Sequence, residues 1–361
     1  MMDRRSVLLT AVLLFYVLTT SYAYTWTEIT SIGGTRPWKA ITSSNGGTKL
    51  AAVEFNTPGG NIWASTDSGA NWTVVGATTA GTAGTPWWRC ITSSSDGTKL
   101  AAAVWQFGNI WTSTDSGATW TEDTSPAADT TKFWIDITSS SDGTKLAAAD
   151  HMGSIWISMN SGASWTPAAN TARSNHWWFA ITSSSDGTKL AAVADGGNIW
   201  TSTDYGFQWT MHTVGGSTQQ WRGITSSSDG TKLAAVADDG NIWTSTDYGF
   251  QWTMHTVGGS TQRWWSITSS SDGTKLAACV YNGNIWNSTD SGATWTEDTS
   301  VGSTKAWESI TSSSDGTKLA AVVSDGNIWT YDASPPPCTC CQEKMKKLGL
   351  IVEEDCKLFE L

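Results

Sequence analysis

Apolar and polar residues alternate along this chain in short runs that are separated by Gly-containing turns. A representative stretch is 178–213, in which four β-rich runs follow one another at residues 178–184, 189–194, 198–203 and 208–213. Short runs bounded by Asp-Gly and similar turns predict antiparallel strands, which we name A, B, C and D in chain order. No segment between Tyr24 and Ala333 keeps a helical period, so the pattern predicts an all-β fold.

The four-strand pattern recurs seven times. The tetrapeptide Ile-Thr-Ser-Ser of strand A marks each repeat, and successive copies are 50, 46, 44, 43, 43 and 43 residues apart. Its isoleucines are Ile41, Ile91, Ile137, Ile181, Ile224, Ile267 and Ile310. A period of roughly 40–45 residues with four strands in each repeat is typical of β-propeller blades.

The seventh repeat lacks strand D, and a matching segment stands at the other end of the chain. Residues 24–28 (YTWTE) match residues 293–297 (ATWTE) in the sixth repeat. We expect the N-terminal segment to complete the last blade, because ring closure leaves no exposed sheet edge. The sequence therefore predicts a seven-bladed β-propeller of four-stranded antiparallel blades, formed by residues 24–333 and closed by an N-terminal strand.

Tryptophan positions divide into a repeated set and a small remainder. Of 25 tryptophans, 21 occupy three fixed positions of the repeat, one each in strands A, C and D. The same register in every blade indicates packing between neighbouring sheets. The remaining four are expected on the D–A and B–C loops, which emerge on one face: Trp87, Trp105, Trp177 and Trp265. They predict a ligand-binding surface with polar contacts from Arg89, Arg222 and His176, although local packing is an alternative.

The predicted C–D turns contain six copies of a short motif. They read STDSGANW (65–72), STDSGATW (113–120), SMNSGASW (158–165), STDYGFQW (202–209 and 245–252) and STDSGATW (288–295). This motif resembles the Asp-box, or BNR repeat, of sialidases and other propeller proteins. In that superfamily the boxes lie on the outer rim, so the resemblance implies structural roles for the residues at the Asp position: Asp67, Asp115, Asn160, Asp204, Asp247 and Asp290.

The resemblance also suggests enzymes to consider. Sialidase-like chemistry needs an acidic–Tyr pair, and none can be identified here. Xyloglucanases with Asp-box propellers use two facing carboxylates, and Asp136 and Glu308 are the only carboxylates adjacent to the strand-A isoleucines. Strict alternation along a strand predicts that these two side chains point to opposite sides of their strands. The chain also resembles the seven-bladed photosystem II assembly factor type, a non-catalytic binding protein, and this resemblance implies that such a propeller can serve binding alone.

The net charge and the two chain ends limit the classes of protein to which this chain could belong. With 21 Lys+Arg against 32 Asp+Glu, the net charge of -11 argues against nucleic-acid binding. Residues 1–23 read as a signal peptide, with Arg4 and Arg5 before an apolar run and a small-residue cleavage site ending at Ala23. Residues 334–361 form a Pro/Cys-rich tail whose four cysteines could form two disulfides, whereas Cys90 and Cys279 are expected to be buried free thiols.

These features together predict a secreted, monomeric, non-enzymatic binding propeller without a cofactor, metal or membrane span. Its expected ligand is a glycan or an extracellular protein, which would contact the face that carries the D–A and B–C loops. The alternative is a glycoside hydrolase that acts on extracellular carbohydrate through Asp136 or Glu308.

Overall fold

The computed structural model describes residues 25–55, 59–75, 86–106, 108–123, 132–171, 176–216 and 218–334. Within these ranges Trp26–Tyr331 form one compact unit built from strands, with a single 3-10 turn at Val257–Gly259. The proposed signal peptide and nearly all of the Pro/Cys-rich tail lie outside the described residues. No helix in the described part of the chain has the length and apolar character that a membrane crossing requires.

The strands fall into the four predicted types. Strands of type A are β2 (Trp38–Ser43), β6 (Trp88–Ser93), β10 (Trp134–Ser139), β14 (Trp177–Ser183), β18 (Gln219–Ser226), β22 (Trp264–Ser269) and β26 (Lys305–Ser312). Type B comprises β3 (Leu50–Glu54), β7 (Leu100–Val104), β11 (Leu146–Asp150), β15 (Leu190–Gly197), β19 (Leu233–Ala237), β23 (Leu276–Gly283) and β27 (Lys318–Val323).

The outer strands of each blade are shorter. Type C comprises β4 (Ile62–Ser65), β8 (Ile110–Ser113), β12 (Ile155–Ser158), β16 (Ile199–Ser202), β20 (Ile242–Ser245), β24 (Ile285–Ser288) and β28 (Ile328–Asp332). Type D comprises β1 (Thr27–Ile29), β5 (Thr73–Val74), β9 (Thr121–Asp123), β13 (Thr166–Pro167), β17 (Thr210–His212), β21 (Thr253–His255) and β25 (Thr296–Asp298). Strand β17 begins two residues later than predicted, because the Asp204 carboxylate accepts the Gln208 N–H (2.9 Å) and keeps that residue in the turn.

Two sets of backbone contacts close the ring and confirm the predicted fold. Strand β1 pairs antiparallel with β28 of the seventh blade, with Glu28 opposite Trp329. At the A–B turns, one N–H in each blade donates to a carbonyl of the next blade at 2.7–2.8 Å. The participants, in ring order, are Asn45, Ser95, Ser141, Ser185, Ser228, Ser271 and Ser314, whose N–H donates back to Asn45.

The core consists of layers between adjacent blades. The layer between blades 1 and 2, for example, packs Val53 and Ile62 of one blade against Trp88 and Ile91 of the next. Every strand-A tryptophan is at most 3% exposed, and each lies edge-on against the strand-C tryptophan of its own blade at 5.9–6.4 Å between ring centroids. Such aromatic pairs add about 0.5–1.5 kcal/mol each beyond area burial. The packing role predicted for the repeated tryptophans is confirmed.

The six C–D turns share one hydrogen-bond pattern. In the first, the Ser65 hydroxyl donates to the Asp67 carboxylate (2.8 Å) and accepts the Gly69 N–H, while the same carboxylate accepts the Asn71 N–H (2.8 Å). Gly69 has φ +90°, a conformation that glycine adopts without strain. Asn160 keeps the pattern in the third turn by accepting the Ser164 N–H (2.9 Å). These side chains therefore bond within their own turns.

Candidate binding site at the centre of the ring

A β-bulge gives every blade one side chain that points toward the ring centre. In blade 1, Trp38 pairs with Glu54 and Ala40 pairs with Val53, so Lys39 between them has no partner on strand B. The same irregularity follows the strand-A tryptophan in all seven blades. Bulges re-aim side chains in this way. The seven bulge residues are Lys39, Arg89, Ile135, Phe179, Arg222, Trp265 and Glu308.

All seven bulge residues line one cavity of about 150 Å³, together with the residues that follow them, among them Cys90 and Asp136. We call this the central cavity. Its lining includes three cations, two carboxyls and two aromatic rings. The bulge position carries six residue types in seven blades, whereas the Ile-Thr-Ser-Ser segment two residues further along is identical in all seven. The seven repeats therefore carry different side chains at the one position where they meet around the central cavity.

The bulge corrects the expectation that Asp136 and Glu308 point to opposite sides of their strands. Glu308 is itself a bulge residue, and Asp136 follows the bulge residue of its own blade. The extra residue shifts the alternation by one position, so both side chains reach the central cavity.

Each of these carboxyls is engaged by neighbouring groups. Both oxygens of Asp136 accept backbone N–H groups, from Ile137 (2.9 Å) and from Ile181 of the next blade (2.8 Å). Glu308 forms an ion pair with Lys39 and accepts the Trp265 indole N–H (3.1 Å). Burial raises the pKa of Asp136 to about 6 and that of Glu308 to about 7. The two groups can therefore change charge within the physiological pH range.

Aromatic rings and cations alternate along part of the wall. The Arg222 guanidinium lies 4.6 Å from the Phe179 ring centroid, and the Arg89 guanidinium lies 5.9 Å from the same centroid. Phe179 also contacts Trp265 edge-on at 6.0 Å. Contacts of this kind hold guanidinium groups in fixed orientations.

The cations differ in how they are balanced. Arg222 forms ion pairs with Asp195 (2.8 Å) and Asp238 (3.4 Å), and Lys39 is paired with Glu308. Arg89 has no ion pair or hydrogen bond with any residue that the structure describes, and its Nε is buried without a partner. Burial lowers its pKa below the ordinary value.

A second group of residues surrounds the cavity, where strand B ends and the chain enters strand A. Backbone pairing joins the two segments in each blade, as where the Trp105 N–H donates to the Trp87 carbonyl (2.8 Å). We call this the rim and define it by the paired positions Pro37/Phe55, Trp87/Trp105, Phe133/His151, Trp177/Asp195, Gln220/Asp238, Arg263/Tyr281 and Ala306/Ser324.

All four unrepeated tryptophans lie at the rim or the cavity. Trp105 contacts Arg89 (5.5 Å) and His151 (5.6 Å), and His151 contacts Trp177 (6.1 Å), which is 56% exposed. The Trp87 ring packs instead on Phe55, and Trp265 lines the cavity.

His176 lies apart from this group. Its ring packs on the repeated tryptophans Trp178 (5.6 Å) and Trp200 (4.9 Å), and burial lowers its pKa.

Several residues of the site were not identified from the sequence. Lys39, Ile135 and Phe179 line the cavity, and Phe133 and His151 belong to the rim. A positional comparison of the seven repeats would have found the first three, since they occupy the position after the strand-A tryptophan. Within the described ranges, no group of three or more His, Cys, Asp or Glu side chains is placed to hold a metal ion.

Solved propeller structures share this architecture. YCF48 from Cyanidioschyzon merolae has 15% identity and a TM-score of 0.67, covering 86% of this chain and 100% of that one. YCF48 bound to D1 peptide has 15% identity and a TM-score of 0.65, covering 86% and 96%. The GH74 xyloglucanase from Xanthomonas campestris has 15% identity and a TM-score of 0.63, covering 87% and 55%. The protein is thus a β-propeller, and identities this low extend to the fold alone. The sequence matches no protein-family model and no curated protein.

Proposed function

We propose that this protein is a non-enzymatic binding propeller whose ligand contacts the rim and enters the central cavity. One observation carries the proposal: the bulge residues differ from blade to blade and converge on one cavity. Repeated positions account for the packing of the ring, whereas unlike groups at its centre give the asymmetry that recognition of a ligand requires.

The rim supports contact with a glycan or an extracellular protein. Trp105, His151 and Trp177 form a contiguous aromatic surface, with the exposed Trp177 at its outer end. Aromatic surfaces of this kind bind sugar rings and apolar peptide side chains. The YCF48 complex with a peptide supports a protein ligand, because it is an instance of a peptide held by the same fold.

Binding to a glycan array and to a peptide array tests the proposal, using the full chain without its first 23 residues. We expect saturable binding to one ligand class, weakened by the double substitution Trp105→Ala/Trp177→Ala. Phe207→Ala is the matched control, because Phe207 is exposed in a C–D turn away from the rim. Binding that survives the double substitution in a folded protein would contradict the proposed surface.

A glycoside hydrolase is the second candidate, and one observation favours it. Asp136 and Glu308 face the same cavity, and both have raised pKa values, as a general acid requires. Against this candidate, both carboxyls are already engaged by protein groups. Asp136 accepts two backbone N–H groups, and Glu308 is paired with Lys39 and accepts the Trp265 indole N–H. Release of reducing sugar from oligosaccharides, abolished by Glu308→Gln, would replace the binding proposal by this one.

Secretion is part of the proposal and depends on residues 1–23. The measurement is the N-terminal sequence of protein recovered from the medium of an expressing cell. A mature chain that begins at Tyr24 is expected, and retention of the uncleaved chain inside the cell would contradict secretion.

A further inference from the structure

We infer that the central cavity is an oxyanion site in which Arg89 binds a carboxylate, sulfate or phosphate group. This inference rests on the proposed function and specifies the chemistry of the group that enters the cavity. It depends on the pairing of the cations, on the support of the Arg89 side chain and on the charge of the cavity.

Among the cations of the cavity and rim, Arg89 is the one without a carboxylate partner in the described structure. Arg222 is paired with Asp195 and Asp238, and Lys39 is paired with Glu308. At the rim, Arg263 is paired with Asp238 (3.3 Å). The Arg89 side chain is half-buried and its Nε is buried without a partner, which is costly in a folded protein, and a bound anion would reduce that cost.

Asp136 does not neutralise Arg89 by contact, although it lines the same cavity. Its two oxygens accept the N–H groups of Ile137 and Ile181, which fix the carboxylate between blades 3 and 4. Arg89 is therefore left with its donors available to a ligand.

Two aromatic rings hold Arg89 in place. Its guanidinium carbon lies 5.5 Å from the centroid of Trp105 and 5.9 Å from that of Phe179. A planar guanidinium supported in this way offers its N–H groups in a fixed fork, the geometry that oxyanions accept in a bidentate manner.

The cavity is cationic although the chain as a whole carries a net charge of -11. Three cations face two carboxyls there, and burial shifts both carboxyls toward the neutral form. The volume of about 150 Å³ is roughly ten times the 10–15 Å³ that a cavity needs to admit one water molecule, so a small oxyanion fits. Cations that line one concave cavity together attract such a group more strongly than isolated surface charges do.

Calorimetric titration with sodium sulfate, sodium phosphate and sodium acetate tests the inference, with NaCl holding the ionic strength constant. The wild-type chain should bind at least one of these anions saturably, with one site per molecule. Arg89→Met should weaken binding about tenfold or more, and Arg89→Lys should retain part of it, because lysine keeps the charge but loses the fork. Absence of saturable binding in folded wild-type protein would overturn the inference.

Lys275→Met is the matched control, since it also removes one positive charge, from a side chain that donates to the Asp315 carbonyl (2.9 Å) at the A–B turns, outside both the cavity and the rim. It should change anion affinity by no more than about twofold, because charges at that distance are screened by salt. An equal loss in the Lys275 and Arg89 variants would mean that net charge alone is responsible, which would overturn the assignment. Should Arg89→Met not fold, Arg89→Lys decides between the same outcomes.

Competition separates this inference from the proposed function. An acidic peptide or a sulfated oligosaccharide found on the arrays should displace the inorganic anion. Whichever of the two does so is the class of ligand that carries the oxyanion into the cavity. A ligand that binds at the rim without displacing the anion and without depending on Arg89 would leave the binding function intact and overturn the oxyanion site. Anion binding that depends on Arg89, with no hit on either array, would support the site alone.

Discussion

At the scale of single residues, the central cavity brings together groups that are unfavourable for stability. The Arg89 Nε is buried without a partner, and Glu308 is buried strongly enough to raise its pKa from 4.5 to about 7. Native proteins keep such groups where they serve a function, because each unsatisfied buried group weakens the fold. Substitutions of Arg89 and Glu308 should therefore change both the stability of this protein and its binding site.

Arg89→Met should stabilise the protein. The substitution removes an unpaired buried donor, whose burial costs about 1–3 kcal/mol, and keeps apolar contact with Trp105 and Phe179. The free energy of unfolding in urea, measured without added oxyanions, should rise by about 1 kcal/mol. Arg222→Met should lower it, because Asp195 would lose its partner and Asp238 would keep only Arg263. A fall in stability for Arg89→Met would show that other groups in the wild-type protein already compensate the charge of Arg89.

Glu308 should make stability decrease as the pH rises. Its pKa is 4.5 when exposed and about 7 in the fold, so the folded state binds the proton more tightly. Stability is therefore unaffected by this group below pH 4.5 and falls between pH 4.5 and 7, by about 2–3 kcal/mol at most.

Urea unfolding at pH 5 and pH 8 tests this sign. Glu308→Gln should reduce the fall between the two pH values, whatever its effect on absolute stability through the loss of the Lys39 ion pair. Glu28→Gln is the control, because Glu28 is exposed on strand β1. The same pH dependence in wild type and Glu308→Gln would contradict the expectation.

At the scale of the structural element, strand A shows how far a sequence pattern reaches. Its Trp and Ile-Thr-Ser-Ser residues mark seven strands correctly, because turn residues and a fixed period are local signals. The bulge between them is set by pairing with strand B, which involves residues more than ten positions away. Alternation alone therefore misplaced Asp136 relative to Glu308 and did not reveal Lys39 or Phe179 as neighbours of Arg89.

The C–D turn is an element whose stability depends on one carboxylate. Asp290 accepts the Thr294 N–H (2.8 Å) and hydroxyl (2.6 Å), and these bonds lower its pKa to about 2. Its contribution is complete above the pKa of the unfolded chain, near 4, and is lost as the pH falls through 2.

Asp290→Ala should therefore lower the midpoint of thermal unfolding at pH 7. At pH 2 the difference in midpoint between wild type and variant should be smaller, because protonation of Asp290 removes part of its contribution in the wild type. Asp290→Asn should behave almost as wild type at pH 7, because Asn160 fills the same position in the third turn. A midpoint that Asp290→Ala leaves unchanged at pH 7 would show that the turn forms without this acceptor.

At the scale of the whole molecule, ring closure decides whether the cavity exists at all. All seven blades contribute to its wall, so the geometry around Arg89 depends on the contact between the two ends of the ring. That contact also includes Trp26, which is 5% exposed and packs on Trp307 and Tyr331 while its indole N–H donates to Asp298 (3.1 Å).

Trp26→Ala should destabilise the entire propeller and abolish ligand binding, although Trp26 is not part of the cavity. Loss of a buried Trp costs about 3–5 kcal/mol, and here it also weakens the pairing of β1 with β28. Phe250→Ala is the control, because its side chain is 70% exposed in a C–D turn outside the rim and its loss should change stability by about 0.5 kcal/mol or less. Urea unfolding followed by Trp fluorescence measures both variants. Equal stability of the two variants would mean that the ring does not depend on the packing of Trp26. A loss of stability in Trp26→Ala alone would show that the cavity depends on closure of the ring.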